Sequence, residues 1–298
     1  MLVKIHRHEI NITNLDKVFW PKEKILKGDL IKYYLKISEY VLPHLTNRPF
    51  VLKRYPNGIK GDFFYQKQCP NHAPHWIETI QAEDKQMVVC NNIDTLIWLI
   101  NLGCIELHHW LSKTSSLDKP DILVFDLDPE PPADFRDSLK AALIINDLFA
   151  KMNIKTFAKT SGSEGLHIYI PVRPVHSFEI IKNTLKIVSN YLVSQHPSLL
   201  TVELSKVKRR GRVYLDYLQN GYGRTMAGAY SVRPIAGAMV STPLSWNEVK
   251  NGVDMMNFTI FNMEDRLLRK GDIFSQVNTL EQDFSPVVNS LIPALSRN

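Results

Sequence analysis

Two aspartates, Asp126 and Asp128, close a short apolar run, 122–127, that lies between Pro120 and Pro129. That length and punctuation predict a strand buried on both faces. Alternation along a strand puts both carboxylates on one face, with Cα atoms roughly 6.5 Å apart. At an effective dielectric near 20, like charges about 4 Å apart repel by about 4 kcal/mol. Such a pair keeps a proton, takes a cation, or simply faces solvent, and oxygen-only ligands suit Mg²⁺ or Mn²⁺. Val213-Tyr-Leu-Asp-Tyr217 offers a third strand-borne carboxylate, Asp216, on the face opposite Leu215 and Tyr217. Three carboxylates are what a two-metal site needs.

Phosphate chemistry has its own candidates. In Leu166-His-Ile-Tyr-Ile-Pro171, the core positions Leu166, Ile168 and Ile170 leave His167 and Tyr169 on the other face. The preceding hairpin, Lys159-Thr-Ser-Gly-Ser-Glu-Gly165, lets backbone N–H groups approach phosphate oxygens, with Lys159 adding charge. Arg224 and Arg233 are further cations within reach of a phosphate. The basic run 206–212, which includes Lys208, Arg209 and Arg210, reads as a loop ahead of the Asp216 strand. Lys53-Arg54 precedes Phe63-Phe64, a combination that suits a DNA-end platform if the rings are exposed and a core if they are not. Stacking on such a platform adds about 1–3 kcal/mol per base. In Glu106-Leu-His-His-Trp110, His108 lies opposite Leu107 and His109. Cys69, His72 and His75 supply at most three of four zinc positions, and no Cys-x-x-Cys completes them.

The elements that must position these residues follow from periodicity. Strands are predicted within 3–20, with a turn at 11–14, and at 50–55, 62–66, 104–110, 121–128, 157–160, 166–172, 200–204, 213–218 and 229–233. Helices are predicted from a cap at Asp29, over 93–102, from Asp134 to 152, over 177–195, and near 245–251 and 263–269. The fold class is α/β (α+β): a central mixed sheet over 101–298 flanked by helices, with a smaller mixed unit over 1–100 leaning on it. One domain, 1–298, is expected.

Composition sets the outer bounds. With 44% hydrophobic and 22% charged residues, the chain reads as a globular protein. No run approaches a membrane span, and the start lacks the apolar core of a signal peptide. Three cysteines, an odd and sparse set, favour a reduced, cytoplasmic protein. A net charge of +6 permits nucleic acid without demanding it.

Taken together, Asp126-Leu-Asp128, Ser161-Gly-x-x-Gly-x-His167 and Leu215-Asp216 resemble the three-motif signature of the archaeo-eukaryotic primase superfamily. The match is closest to the polymerase domain of bacterial ligase D and its stand-alone relatives in end joining. Asn14-Leu-Asp-Lys-Val-Phe-Trp-Pro21, Lys27-Gly-Asp29, Arg54-Tyr-Pro-Asn-Gly58, Phe63-Phe64, Glu106-Leu-His108, Asp216-Tyr-Leu-Gln-Asn220 and Tyr230-Ser-Val-Arg233 extend the likeness over nearly the whole chain. The resemblance implies that Asp126, Asp128 and Asp216 hold two divalent cations, Mn²⁺ or Mg²⁺. It implies that Ser161, His167 and Arg233 meet a nucleoside triphosphate, with Lys159 and His108 beside them. Lys17 and Lys27 match residues that hold a downstream 5′-phosphate, and Phe63 and Phe64 match residues that stack at the DNA end. Lys53, Arg54, Lys208, Arg209 and Arg210 complete the expected DNA contacts. The implied partners are 5′-phosphorylated DNA with gaps or overhangs, a Ku-like end-binding protein, and a ligase supplied separately, since no Lys-x-Asp-Gly adenylation motif occurs. The implied location is the nucleoid. Relatives often read His-Pro-Trp where this chain has His108-His109-Trp110. A haloacid-dehalogenase-like phosphatase also places Asp-x-Asp after an apolar strand, but here Pro129-Glu130 follows and the His strand has no role in that scheme. A non-catalytic DNA-end scaffold and a replicative primase are the remaining alternatives.

Overall fold

The computed structural model describes residues 1–295, so the last three residues of the expected domain lie outside the described residues. The strand carrying the two aspartates runs Ile122–Pro129, and its residues Ile122, Leu123, Val124 and Phe125 are buried. It is central in a six-stranded sheet ordered Leu200–Thr201, Val213–Asp216, Ile122–Pro129, Leu166–Pro171, Phe157–Thr160 and Pro243–Leu244. Helix Phe135–Lys151 packs on that strand, Phe125 meeting Phe149 at 5.9 Å between ring centroids. It starts where expected: the Asp134 carboxylate accepts the Arg136 N–H at 2.8 Å, a cap worth about 1 kcal/mol over alanine.

A second six-stranded sheet is built round Pro49–Arg54 and Cys104–Trp110, flanked by Thr225–Ala227 on one side and by the hairpin Thr79–Ala82 and Lys85–Val89 on the other. Phe64–Gln66 pairs with Pro49–Arg54. Strands Cys104–Trp110 and Thr225–Ala227 belong to this sheet although they lie beyond residue 100, so the N-terminal unit is not closed at the boundary drawn from sequence. Helices Lys27–Leu45 and Ile93–Asn101 pack on each other beside it.

Several local expectations change. Residues 3–20 hold three short strands, Leu2–Lys4, Glu9–Asn11 and Val18–Trp20, and the first two form a hairpin. Asp29 is in the first turn of its helix rather than before it, and accepts the Leu26 N–H at 2.8 Å. The predicted strand at 229–233 is a clamped loop with one isolated bridge, Val232 to Val240. Tyr33 Oη donates to the Tyr230 carbonyl at 2.9 Å, and the Val232 N–H donates to Tyr34 Oη at 3.0 Å. The basic run holds one helical turn, Lys206–Arg209. The hairpin over residues 79–89 has no counterpart in the expectations.

The two sheets are tied by a buried ion pair. Arg48 Nη1 and Nη2 donate to Asp121 Oδ1 and Oδ2 at 2.6 and 2.7 Å, at the foot of the aspartate strand. Asp121→Ala leaves the guanidinium buried without its partner, so urea unfolding is expected to show a loss of about 3–5 kcal/mol. A loss below about 1 kcal/mol, as for surface pairs, would contradict this reading.

Candidate functional site

Antiparallel register puts four candidate side chains in one row. Lys159 is directly opposite His167, His167 opposite Asp126, and Asp126 opposite Asp216. Opposed residues share a face with Cβ atoms about 4.5–5.5 Å apart, so sheet pairing alone assembles the row. Its two middle members, Asp126 and His167, line a cleft of about 630 Å³ together with Asp128, Ser161, His108 and Arg233, among others. A larger hollow, about 900 Å³, lies between helix Phe135–Lys151 and residues 249–256. Its charged residues, Asp134, Arg136, Lys140, Glu164, Lys250 and Asp254, are all exposed, whereas the smaller cleft gathers buried ones such as His167, so the smaller cleft is the candidate site.

Burial and then the neighbouring charges of Asp128 and Asp216 push the Asp126 carboxyl well above its ordinary range. Burial and then Asp216 raise Asp128 as well. Asp126 Oδ1 is buried and makes no hydrogen bond. An orphaned oxygen and two carboxyls that resist ionising fit an oxygen-coordinated divalent cation. Asp216 is held differently. Its Oδ1 accepts the Leu218 N–H at 2.9 Å and its Oδ2 accepts Gln219 Nε2 at 3.0 Å. Among the described residues, no three His, Cys, Asp or Glu side chains already close round one point. Asn220 anchors this turn, its amide completing the strand ladder with both the N–H and the carbonyl of Val124.

His167 Nε2 lies 3.3 Å from Asp126 Oδ1, and its Nδ1 lies 2.8 Å from Lys159 Nζ. Burial, then the Lys159 and Arg233 charges, hold His167 well below its ordinary pKa, so the ring is neutral. Nδ1 is engaged by the Lys159 amine, which leaves Nε2 as the ring nitrogen turned toward Asp126 and the cleft. Lys159 itself is not in the cleft. It is fully buried, its amine pushed well down by burial, and it also donates to Ser241 Oγ at 2.5 Å. The expected phosphate contact is therefore a support for His167. Leu166–Pro171 is buried along its whole length, so His167 and Tyr169 do not occupy an open face.

The glycine hairpin also works differently from expectation. Ser161 Oγ accepts the N–H groups of Ser163 and Gly165, both at 3.1 Å, so those amides are not free for phosphate. A Cβ on Gly165 would lie 2.0 Å from the Leu127 carbonyl oxygen, which is why no side chain fits there. With two amides on its oxygen, the Ser161 hydroxyl keeps its proton for the cleft it lines.

Across the cleft, Glu106 is fully buried on the same strand face as His108, two residues away. Burial pushes its carboxyl up, but hydrogen bonding and charge from His108, Arg233 and Lys53 outweigh that and hold it well below the usual range. Arg233 Nε lies 2.8 Å from Glu106 Oε1, and Arg233 Nη1 donates to the Ser161 carbonyl at 2.9 Å. Glu106 was not among the expected site residues. The alternation that set His108 apart from Leu107 and His109 points to it, because Glu106 is two residues before His108. His109 faces away, buried, its pKa pushed down to about 3 by burial and then by Arg48.

The aromatic platform is exposed. Phe63, Phe64 and Tyr65 are 50%, 44% and 58% accessible, and Tyr65 lines the cleft edge-on to His108. Lys53 and Arg54 are spent within it. Lys53 pairs with Glu106 and lies 4.7 Å from the Phe63 ring centroid. Arg54 donates to the Leu102 carbonyl and to Gln66, 5.1 Å from the Phe64 ring. Arg209, expected on DNA, is buried instead, 3.8 Å from the Tyr214 ring and bonded to the Glu203 carbonyl. Lys208 and Arg210 are exposed.

Lys17 and Lys27 share a second, smaller hollow of about 280 Å³, also lined by Asn14, Arg54 and Asn101. Lys27 Nζ donates to the Thr13 carbonyl at 2.6 Å and to Asn101 Oδ1 at 2.7 Å, and Lys17 Nζ donates to Asn57 Oδ1 at 2.6 Å. The first two amides of the helix are taken, since the Lys27 and Gly28 N–H groups donate to the Lys17 and Leu15 carbonyls.

Two sheets meeting at a carboxylate–histidine cleft define a primase-type polymerase fold. The chain belongs to the family described as "LigD, primase-polymerase domain", which residues 26–274 match. It is 32% identical to the Bacillus subtilis "Bifunctional non-homologous end joining protein LigD", covering 95% of this chain and 47% of that protein. It is 29% identical to the Mycolicibacterium smegmatis "Multifunctional non-homologous end joining protein LigD", covering 92% of this chain and 37% of that one. The chain thus spans less than half the length of these relatives. Its structure is similar to that of the polymerase domain from Mycobacterium tuberculosis Ligase D in complex with DNA, with a TM-score of 0.84 and 28% identity over 91% of this chain and 98% of that one. Among the described residues no helix is long and apolar enough to cross a membrane.

Proposed function

We propose that this protein is a template-dependent nucleotidyltransferase that extends a 3′-OH across gaps and overhangs in non-homologous end joining, with a preference for ribonucleotides. The observation that carries this reading is the row of Asp216, Asp126 and His167, which brings Asp126 and His167 into a cleft beside an exposed aromatic strip. Asp126, Asp128 and Asp216 would hold two divalent cations, Mn²⁺ or Mg²⁺. When bound, these supply charge neutralisation for in-line attack on the α-phosphate and departure of pyrophosphate. The protein groups bind and orient. Ser161 Oγ–H and His167 Nε2–H donate to phosphate oxygens, and the Arg233 guanidinium and His108 flank them. Phe63 and Phe64 stack on the DNA end, with Lys208 and Arg210 as backbone contacts. A separate ligase and a Ku-like end-binding protein would complete the repair, and the nucleoid would be the place of work.

Extension of a gapped, 5′-phosphorylated duplex with each of the four ribonucleotides and deoxyribonucleotides, in Mg²⁺ or Mn²⁺, tests the reading. Template-directed addition is expected, with ribonucleotides used more efficiently. DNA binding with no incorporation in either metal would leave only an end-binding scaffold.

In the same proposal the Lys17–Lys27 hollow takes the 5′-phosphate of the downstream strand. Burial, and then Lys17, draw the Lys27 pKa down to about 8. Discrimination between phosphorylated and unphosphorylated gaps is therefore expected to fade as pH rises through about 8, since phosphate binding needs the ammonium. An ordinary lysine would hold its charge to about pH 10. Stability moves the other way. The fold disfavours the charged form, so between the folded and unfolded pKa values the unfolded chain binds more protons and stability rises with pH. Lys27→Ala with Lys17→Ala should bind both gaps alike, a change of roughly tenfold or more at fixed salt. A double variant that keeps the wild-type preference would place the phosphate elsewhere.

A further inference from the structure

We infer that Glu106 is the positioning residue that sets the cleft for the triphosphate and links it mechanically to the aromatic strip. The inference rests on the nucleotide-binding reading above. Its two oxygens face two sides. Oε1 lies 2.8 Å from Arg233 Nε and 3.8 Å from His108 Nε2, both cleft groups. Oε2 accepts from Tyr55 Oη at 3.0 Å and pairs with Lys53, both of which contact the Phe63 ring. Lys53 is directly opposite Glu106 in the strand register, so the pair is fixed by the sheet and not by a loop.

The physical reason for one shared carboxylate is charge. Lys53 and Arg233 both point into the same buried space, and without an anion between them each would raise the cost of the other. Glu106 lets two cations stand close together beside a phosphate site while half their charge is already balanced. It also makes the position of Arg233, and through it the Ser161 hairpin, depend on the same anchor that holds Lys53 against Phe63.

Glu106→Gln keeps the shape and the acceptor for Tyr55 but removes the charge. The expected result is a rise of roughly tenfold or more in KM for the nucleotide, with kcat at saturation changed by about threefold or less. A double-mutant cycle with Lys53→Met should be non-additive, the glutamine costing less once the lysine is gone. A purely structural role would move the melting temperature and the active fraction without this split in KM against kcat. An unchanged KM in a folded Glu106→Gln protein, or strict additivity with Lys53→Met, overturns the inference. Should the glutamine variant not fold, Tyr55→Phe removes one hydrogen bond to Oε2 and is expected to raise KM alone; an unchanged KM there overturns it equally. Wild type run alongside keeps the two readings apart, because no incorporation by wild type would defeat the proposed function itself.

Discussion

Asp126→Asn is expected to lose essentially all incorporation while melting at the same temperature as wild type, or higher, in the presence of a chelator. Charge stabilisation by a bound cation is worth several kcal/mol at the transition state. At about 1.4 kcal/mol per tenfold, losing it costs on the order of a thousandfold or more. The stability half of the prediction follows from burial and then the neighbouring Asp128 and Asp216, which raise the Asp126 pKa. With the folded value above the unfolded one, the native state binds the extra proton. Its stability is greatest at low pH and falls as pH rises from the unfolded value toward the folded one. Asparagine carries no such penalty, so its advantage should appear near neutral pH and vanish below about pH 4. Mn²⁺ should reverse the order. At a hundred times its dissociation constant it would add about 2.7 kcal/mol to wild type and little to the variant. Thermal melts with and without Mn²⁺, beside gap extension, check all three parts. Near wild-type turnover in Asp126→Asn would remove the carboxylates from the chemistry.

His167→Ala is expected to weaken use of the nucleotide roughly tenfold to hundredfold, the value of about 1.5–3 kcal/mol for a hydrogen bond to a charged group. DNA mobility shifts should stay unchanged, because His167 is buried in the cleft floor and the aromatic strip lies on the rim. The substitution also leaves the Lys159 amine, buried behind it, without one acceptor. His167→Gln offers a side-chain acceptor toward Lys159, so it should recover stability more than activity. Equal loss of DNA binding and nucleotide use would show that the residue serves the duplex.

Much of this site can be read from the sequence because strands encode faces. The apolar run closed by Asp126 and Asp128 and the small-residue turn before His167 both needed only period-two alternation and punctuation. Exposure of Phe63 and Phe64 could not be read that way, since a phenylalanine pair is equally at home in a core. The errors lie where side chains turn back on their own backbone or on each other. Ser161 takes the hairpin amides, and Lys159 points inward at His167. Each choice depends on a partner distant in sequence or on a turn geometry that residue type leaves open. Residues 229–233, with Tyr230 and Val232 two apart, look like a strand, yet hydroxyls of Tyr33 and Tyr34 hold them as a loop. Glu106 was within reach, two positions before His108, but its partners come from three separate segments.

The row Lys159, His167, Asp126, Asp216 has a consequence for how this protein can change its length. Its members come from four strands and meet only because the ladders are in register. Apart from the hairpin 161–165, which carries Ser161 and packs Gly165 against Leu127, the connections between those strands can lengthen or shorten without disturbing the alignment. One residue inserted inside a strand would turn every later side chain of that strand to the opposite face. His167 would then trade places with Leu166 or Ile168, and a greasy side chain would meet Asp126. Tolerance to insertion should therefore be nearly binary along the chain, permitted at turns that carry no site residue and forbidden between Asp121 and Pro129 and from the Ser161 hairpin through Pro171.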